Sequence, residues 1–328
     1  MDNISVITPL VSIVLPTYNR AYVLPHAIQS VLNQSYSNLE LIIVDDNSPD
    51  DTKAVVKSFN DSRIRYVRNE PNLKLPKALN KGFTLAQGEL LTWTSDDNLF
   101  AKNAIEKMVA FIQSEHCDCV YADYELFSEL DNNVPLDTNV DRLPDTVQLE
   151  KGNHIGACFM YTRQVYEKIG DYDPELFLVE DYDYFIRISK HFKMRHLAES
   201  LYYFRRDDNT LYCSRFCEVK ASDFLVRFKN ELIDENTVLE AMITLIMNNI
   251  EGLKDPLLRT SYRIIHNRSY KLTQMHKAFT RWFLKQKIYK PVLHLLNQYS
   301  TKQATFKSTR DQIKNILLSN GTIEYSKH

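Results

Sequence analysis

Three acidic clusters stand where this chain leaves or enters a patterned element. Asp45-Asp46 follows the apolar run 39–44, Asp96-Asp97 follows Leu90-Leu-Thr-Trp-Thr-Ser95, and Glu180-Asp181-Tyr182-Asp183 opens a helical pattern. Singly, each is an ordinary turn or helix-start arrangement. Two such pairs side by side at strand ends repel unless a hydrogen-bond donor or a cation compensates them, and a hard divalent ion carrying phosphate oxygens does so. A carboxylate of the third cluster has the chemistry of a general base for a positioned hydroxyl. Other chemistries drop out. The seven glycines form neither G-x-G-x-x-G nor G-x-x-x-x-G-K, which excludes the Gly-rich dinucleotide loop and the P-loop. Cysteines 117, 119, 158, 213 and 217 contain no C-x-x-C pair and are odd in number. They read as reduced thiols, with Cys117-x-Cys119 packing in an apolar stretch rather than holding zinc.

The elements that must position these clusters alternate. Val11–Pro16 and Leu39–Asp45 are apolar on both faces, as central strands of a parallel sheet are. Between them Ala27, Ile28, Val31 and Leu32 recur at helical spacing, and Pro49-Asp-Asp-Thr52 begins a second helix with an acidic first turn. A strand over 63–68, a helix over 76–87 and a strand over 89–94 continue the order. A helix over 101–114, strands over 118–125, 156–161 and 199–204, and a helix over 179–190 complete it, while the polar stretch 128–150 is expected to be a mobile loop over the site. The class is α/β: a doubly wound, mostly parallel sheet that binds ligands at the C-terminal strand ends.

At 328 residues, 44% hydrophobic and 25% charged, the chain has room for two globular bodies and is not a disordered protein. Its net charge of −2 hides an asymmetry. Residues 251–310 carry thirteen Lys or Arg against Glu251 and Asp255, so that segment is +11 and residues 1–250 are −13. From about 214 the pattern is helical and basic, giving a division into 1–213 and 214–328. The sequence shows no leader-like start and no apolar run of ~18 residues, so a cytoplasmic protein is expected, peripheral at most to a membrane.

Val11-Ser-Ile-Val-Leu-Pro-Thr-Tyr-Asn19, Val44-Asp-Asp-Asn-Ser48, Thr94-Ser-Asp-Asp-Asn98 and Val179-Glu-Asp-Tyr-Asp183, in that order, resemble an inverting family-2 glycosyltransferase of the GT-A fold. The resemblance covers residues 9 to 212. It implies that Pro16, Thr17 and Tyr18 cradle the base and ribose of a nucleotide-sugar, with Asn19 and Arg20 completing the turn. It implies that Asp46 accepts a hydrogen bond from the base, uracil before guanine or thymine, since an acceptor carboxylate reads an N–H edge. Asp96-Asp97 matches the DxD-type pair, with Asp97 holding Mn or Mg and Asp96 approaching ribose or sugar. Asp181 matches the base that deprotonates the acceptor, and Glu180 orients it.

Departures from the family pattern are local. Lys74 stands where Gly is common, Leu79 where Arg is common, and Asp207 where the closing Arg-x-His motif has His. Lys77, Arg205 and Arg206 carry over as diphosphate contacts, and His154 lies near backbone that faces the acceptor. The implied acceptor is a glycan or polyprenyl-linked saccharide for a cell-surface polysaccharide. The basic helical end, with Trp282-Phe283 beside Lys285, Lys287 and Lys290, suits an anionic membrane surface or an oligomer contact, and no motif points to nucleic acid. The rival readings are a nucleotidyltransferase on a similar sheet and a non-catalytic nucleotide-sugar-binding protein.

Overall fold

The computed structural model describes residues 8–131, 134–207, 210–241, 282 and 287–319, and divides the chain into units at Thr210/Leu211, three residues before the expected boundary. In the first unit, β1 (Val11–Thr17) leads through α1 (Leu24–Leu32) to β2 (Leu39–Asp45), then through α2 (Thr52–Ser58) to β3 (Ile64–Arg68). The chain then crosses by α3 (Leu75–Leu85) to β4 (Leu90–Trp93), on the other side of β1. β5 (Leu99–Phe100), α4 (Ala104–Glu115) and β6 (Cys119–Phe127) follow. Next come the short strands β7 (Leu130–Asp131), β8 (Val134–Pro135) and β9 (Asn139–Asp141). β10 (Cys158–Thr162), α5 (Arg163–Ile169), α6 (Glu180–Ser189) and β11 (Met194–Arg205) close the unit.

The sheet runs β3-β2-β1-β4-β10-β6-β11-β5, with β9 paired to β6. Its order reverses direction at β1, and the crevice beyond the β1 and β4 ends is a topological switch point. β1 pairs in parallel with β2 along its whole length, but with β4 only as far as Val14↔Trp93. Pro16, which has no N–H to give, is therefore tolerated in a central strand because it lies beyond the last β4 pairing.

The sheet is mostly parallel, as expected, with β10 antiparallel to both β4 and β6 and β5 antiparallel to β11. One expectation needs correction. The stretch 128–150 is not one loop. β7 and β8 form a hairpin, β9 pairs with β6, the Tyr121 hydroxyl donates to the Pro144 carbonyl at 2.7 Å, and Leu143 N–H donates to Asp123 at 2.8 Å. A polar stretch becomes edge structure here because its unpaired backbone finds partners on β6.

One face of the sheet packs on α1 and α4 through Ile13, Leu24, Ile28, Leu41, Ile105 and Met108, all fully buried. The opposite face is aromatic. Tyr172 stacks on Tyr184 with centroids 4.1 Å apart, Phe159 meets Phe185 edge-on at 4.9 Å, and Phe83 stacks on Tyr172 at 5.8 Å. Pairs of this kind contribute about 0.5–1.5 kcal/mol each beyond area burial, so they anchor α6, whose first turn carries the third acidic cluster.

In the second unit, the described residues are helical over Phe216–Lys229, 235–241, 287–300 and Phe306–Ser319, and Leu225, Val226, Ile288, Val292, Leu296 and Ile313 are buried. Buried Glu218 accepts Lys314 Nζ at 2.7 Å and is also bonded by Arg215. Most of the basic segment 251–310 lies outside the described residues, and among the described residues no helix is long and apolar enough to cross a membrane.

α3 sits so close to the sheet that a Cβ on Gly82 would stand 2.3 Å from Val14 Cγ1 and 3.2 Å from Val44 Cγ2. Both valines are fully buried in central strands. Gly82→Ala is expected to cost about 1–3 kcal/mol by overpacking, read as a lower urea midpoint at unchanged slope.

Candidate active site

The strand ends bring the first two acidic clusters together at the switch point. Thr17 is in register with Asp45, Asp46 N–H donates to the Thr17 carbonyl at 2.9 Å, and Thr94 N–H donates to the Val14 carbonyl at 3.0 Å. The turn after β1 therefore lies between the segment after β2 and the segment after β4. Pro16 and Thr17 are buried within it, whereas Tyr18 is 50% exposed and Asn19 is exposed with φ +56°. Asn19 N–H donates to Ser48 Oγ at 3.0 Å, and Ala21 N–H donates to Asp50 at 2.9 Å. Asp50 also accepts from Thr52 Oγ1 at 2.6 Å, so the acids expected in the first turn of α2 instead tie its start to this turn.

The two carboxylates after β2 have different work. Asp45, fully buried, accepts from Ser48 N–H at 2.7 Å, Tyr66 Oη at 2.6 Å and Arg68 Nη1 at 2.9 Å, so it is a structural knot. Burial and Asp45 push the Tyr66 hydroxyl up to about 12. Asp46 accepts from Asn69 Nδ2 at 2.9 Å and from the backbone N–H groups of Leu73 and Lys74, each at 2.8 Å. It thereby fixes the segment that opens α3. Its Oδ2 takes the Lys74 bond, and a carboxylate oxygen has lone-pair capacity for a second donor.

The site reaches the sheet's other half through the Asp96-Asp97 pair. Both side chains are largely buried: Asp96 is 9% exposed and the Asp97 side chain 12%. Burial, with Asp97 beside it, pushes the Asp96 carboxyl up to about 7, and burial likewise raises Asp97 against the pull of Arg20 and Arg205. Arg20 Nη1 donates to Asp97 Oδ2 at 2.8 Å. β11 closes the corner: Arg205 N–H donates to Asn98 Oδ1 at 2.8 Å, and the Thr94 and Tyr202 hydroxyls are 2.7 Å apart. The Arg205 side chain donates to the carbonyls of Ser128 at 2.8 Å and Asp97 at 3.4 Å, and its guanidinium lies 4.7 Å from the Phe127 ring centre. Arg206 is exposed, with its N–H on the Phe127 carbonyl at 2.7 Å, and Lys77 is exposed on the first turn of α3.

The third cluster starts α6, where the positive end of the helix dipole favours carboxylates. Glu180 is buried, and its Oε2 accepts the Leu178 N–H at 2.8 Å across a residue held at φ +86°. A bulky residue in that region marks stored strain next to the acids. Burial, with Asp181 beside it, pushes Glu180 up to about 8. Asp181 is half-buried and accepts from Asn153 Nδ2 at 3.0 Å. Asp183 is turned into the fold against Arg187 Nε at 2.8 Å. His154, half-buried, follows the residue that holds Asp181.

Arg20 and Asn153 are the contributors that the sequence reading assigned no charge-pairing role. Arg20 was legible only as a turn residue, and Asn153, 28 positions from Asp181, carried no local signal. Among the described residues no group of three or more His, Cys, Asp or Glu side chains converges on a metal position.

The profile described as "Glycosyl transferase family 2" matches residues 12–170. Over 254 residues, 72% of this chain, the sequence is 30% identical to an uncharacterised glycosyltransferase of Rickettsia felis, covering 40% of that protein. Over 119 residues, 36% of this chain and 47% of the relative, it is 33% identical to Escherichia coli WfgD, a UDP-Glc:alpha-D-GlcNAc-diphosphoundecaprenol beta-1,3-glucosyltransferase. The chain thus spans less than half the length of both relatives. Among solved structures, the mannosyltransferase PcManGT of Pyrobaculum calidifontis superposes with a TM-score of 0.56 at 16% identity, over 95% of this chain and 88% of that one. The fold is shared with glycosyltransferases of GT-A type.

Two substitutions test the electrostatics and strain of this site. As a buried acid, Glu180 contributes stability below its ordinary value of 4.5, and that stability is lost as pH rises through about 8. Glu180→Gln is therefore expected to lose a few kcal/mol less stability than the parent chain between about pH 5 and 8, checked by urea denaturation of both across that range. Lys74, at φ +72° and ψ 161°, occupies backbone space suited to glycine. Lys74→Gly is expected to raise stability by about 1 kcal/mol, read as a higher Tm.

Proposed function

We propose, on the premise that this chain belongs to glycosyl transferase family 2 through the domain at 12–170, that it is an inverting, metal-dependent glycosyltransferase. It takes a sugar from a nucleotide-sugar, a UDP-sugar first, and places it on a hydroxyl of a glycan or lipid-linked saccharide in cell-surface polysaccharide assembly. The observation that carries this reading is the buried Asp96-Asp97 pair at the β1/β4 switch point, under-compensated by the cations around it.

The donor set fits a hard divalent ion. Burial raises both carboxyls even with Arg20 at 2.8 Å, so a further positive charge is electrostatically welcome there. With no three-ligand cluster among the described residues, Asp97 would hold Mn or Mg together with diphosphate oxygens. Bound there, the ion supplies positive charge for the departing nucleoside diphosphate. The Mn2+ and GDP-Man in the PcManGT complex, and the UDP-Glc in the name of WfgD, support a donor of this class.

The chain's own groups supply the rest. Pro16, Thr17, Tyr18 and Asn19 line base and ribose, Asp46 takes the N–H of the base on its Oδ2, and Asp96 faces the ribose or sugar. Lys77, Arg205 and Arg206 contribute positive charge toward the diphosphate, the Arg205 guanidinium through its placement beside Asp97. Asp181, held by Asn153, removes the acceptor proton on the face opposite the leaving group, and Glu180 stays buried beneath it as an orienting acid. The acceptor named for WfgD is a diphosphoundecaprenol-linked sugar, and the +11 charge of residues 251–310 favours a membrane-face location where such acceptors reside.

Incubating the protein with UDP-, GDP- and dTDP-sugars, with Mn2+ or with chelator, tests the reading without an acceptor. One UDP-sugar should raise Tm and be slowly hydrolysed only with metal. No shift with any nucleotide under any metal condition would leave a non-catalytic protein of the same fold as the better account. With donor and acceptor in hand, Asp181→Asn should lower turnover by about 10²–10⁴ while nucleotide affinity stays unchanged. Full turnover in that variant removes Asp181 as the base.

A further inference from the structure

The Arg20–Asp97 ion pair lies on the carboxylate that the proposed reading assigns to the divalent ion. Arg20 Nη1 is 2.8 Å from Asp97 Oδ2, and the two side chains are 18% and 12% exposed. A contact of this length and burial is a charge-assisted hydrogen bond in a medium where charges interact more strongly than in water. Asp96, Asp97 and Asp207 all act on Arg20, so three carboxylates share this corner with Arg20 and Arg205. The two cations are not equivalent. Arg205 is committed to the carbonyls of Asp97 and Ser128, to the Phe127 ring and to Asp207 Oδ2 at 3.6 Å, whereas Arg20 bonds the Asp97 carboxylate directly.

We propose that Arg20 is the internal counter-ion of the nucleotide-free site: it holds Asp97 until a donor arrives, competes with the divalent ion for Asp97 Oδ2, and then transfers to the donor's diphosphate. The inference rests on the reading of Asp97 as the metal-holding carboxylate and adds an order to binding. A divalent ion alone must break the buried Arg20–Asp97 pair and stand beside the displaced guanidinium, which is unfavourable. When a diphosphate enters with the ion, the guanidinium exchanges one anion for another. Metal and nucleotide therefore bind with positive coupling, and by reciprocity each raises the other's affinity by the same factor. Arg20 is also placed for this by its neighbours. Asn19 at φ +56° and the bonds from Asn19 and Ala21 to Ser48 and Asp50 set the turn, so the side chain leaves β1 toward β4 rather than toward solvent.

The test is equilibrium binding to the full chain, with Mn2+ alone followed by electron paramagnetic resonance, and UDP in chelator followed by calorimetry. In Arg20→Gln, Mn2+ alone should bind about tenfold tighter than in the parent, since the competing cation is gone. UDP without metal should bind about tenfold weaker, since a charge-assisted contact to the diphosphate is lost. Arg20→Lys, which keeps the charge, should fall between parent and Arg20→Gln on both readouts and covers the case in which Gln impairs folding. Unchanged or weaker Mn2+ binding in folded Arg20→Gln overturns the inference, as does unchanged UDP binding in chelator. If the parent binds Mn2+ and UDP together and Asp97→Asn abolishes the metal, but Arg20→Gln changes nothing, only the role of Arg20 fails. If the parent binds neither, the glycosyltransferase site itself is wrong and this inference falls with it.

Discussion

Placing carboxylates at the ends of buried strands is costly, and the N-terminal unit is organised around answering that cost. Each acidic group has its own answer. Asp45 is paired with Arg68 and accepts from Tyr66 and Ser48 N–H, and Asp46 accepts from one side-chain and two backbone donors. Asp97 has Arg20, while Asp96 and Glu180 are left with carboxyls pushed up to about 7 and 8 by burial. The incompletely answered groups lie at the switch point and at the start of α6, where a reaction would need adjustable charge. Asp45, answered by an arginine, a hydroxyl and a backbone N–H, belongs to the frame.

Backbone strain is distributed in the same way. Asn19 and Asn47 are of the residue type that tolerates positive φ best after glycine, and Asn47 Oδ1 accepts from Arg68 Nη2 of β3 at 2.9 Å. Lys74 and Leu178 have no such aid, and both are held by a carboxylate that accepts their own N–H: Asp46 for Lys74 and Glu180 for Leu178. The acids of the candidate site therefore also pin the two least comfortable backbone positions near it. Changing one of them alters both charge and loop geometry, which is why amide replacements are more informative than truncations here.

The aromatic layer beneath α6 supplies rigidity that the polar site lacks. Asn80 bridges to it, its side chain accepting from Tyr172 N–H at 2.9 Å and donating to the Tyr172 carbonyl at 2.8 Å. One asparagine of α3 thereby joins the helix that follows the Asp46-held segment to the segment leading into Glu180 and Asp181. The Asp46 and Glu180-Asp181 parts of the candidate site are connected through packed rings and paired amides.

Local pattern alone was enough to place most strands and helices of the first unit and its acidic clusters, because apolar runs and helical periodicity report burial directly. Asp45-Asp46, Asp96-Asp97 and Glu180-Asp181 were legible as strand-end and helix-start acids for the same reason. Strand direction and edge pairing were not. An apolar strand reads identically whether it runs parallel or antiparallel, so β10 gave no sign of its reversal, and the polar segment β9 takes its structure from β6, a partner outside its own local pattern. Which groups Asp45 and Asp46 bond within the fold also waited for the tertiary structure. Asp45 and Asp46 are neighbours of one type, and only the arrival of Arg68, Asn69 and Lys74 from β3 and the approach to α3 separates a structural knot from a reader of the opening segment. Arg20 on Asp97 and Asn153 on Asp181 span 77 and 28 residues, distances over which no periodicity carries information and only chain folding decides which charge meets which.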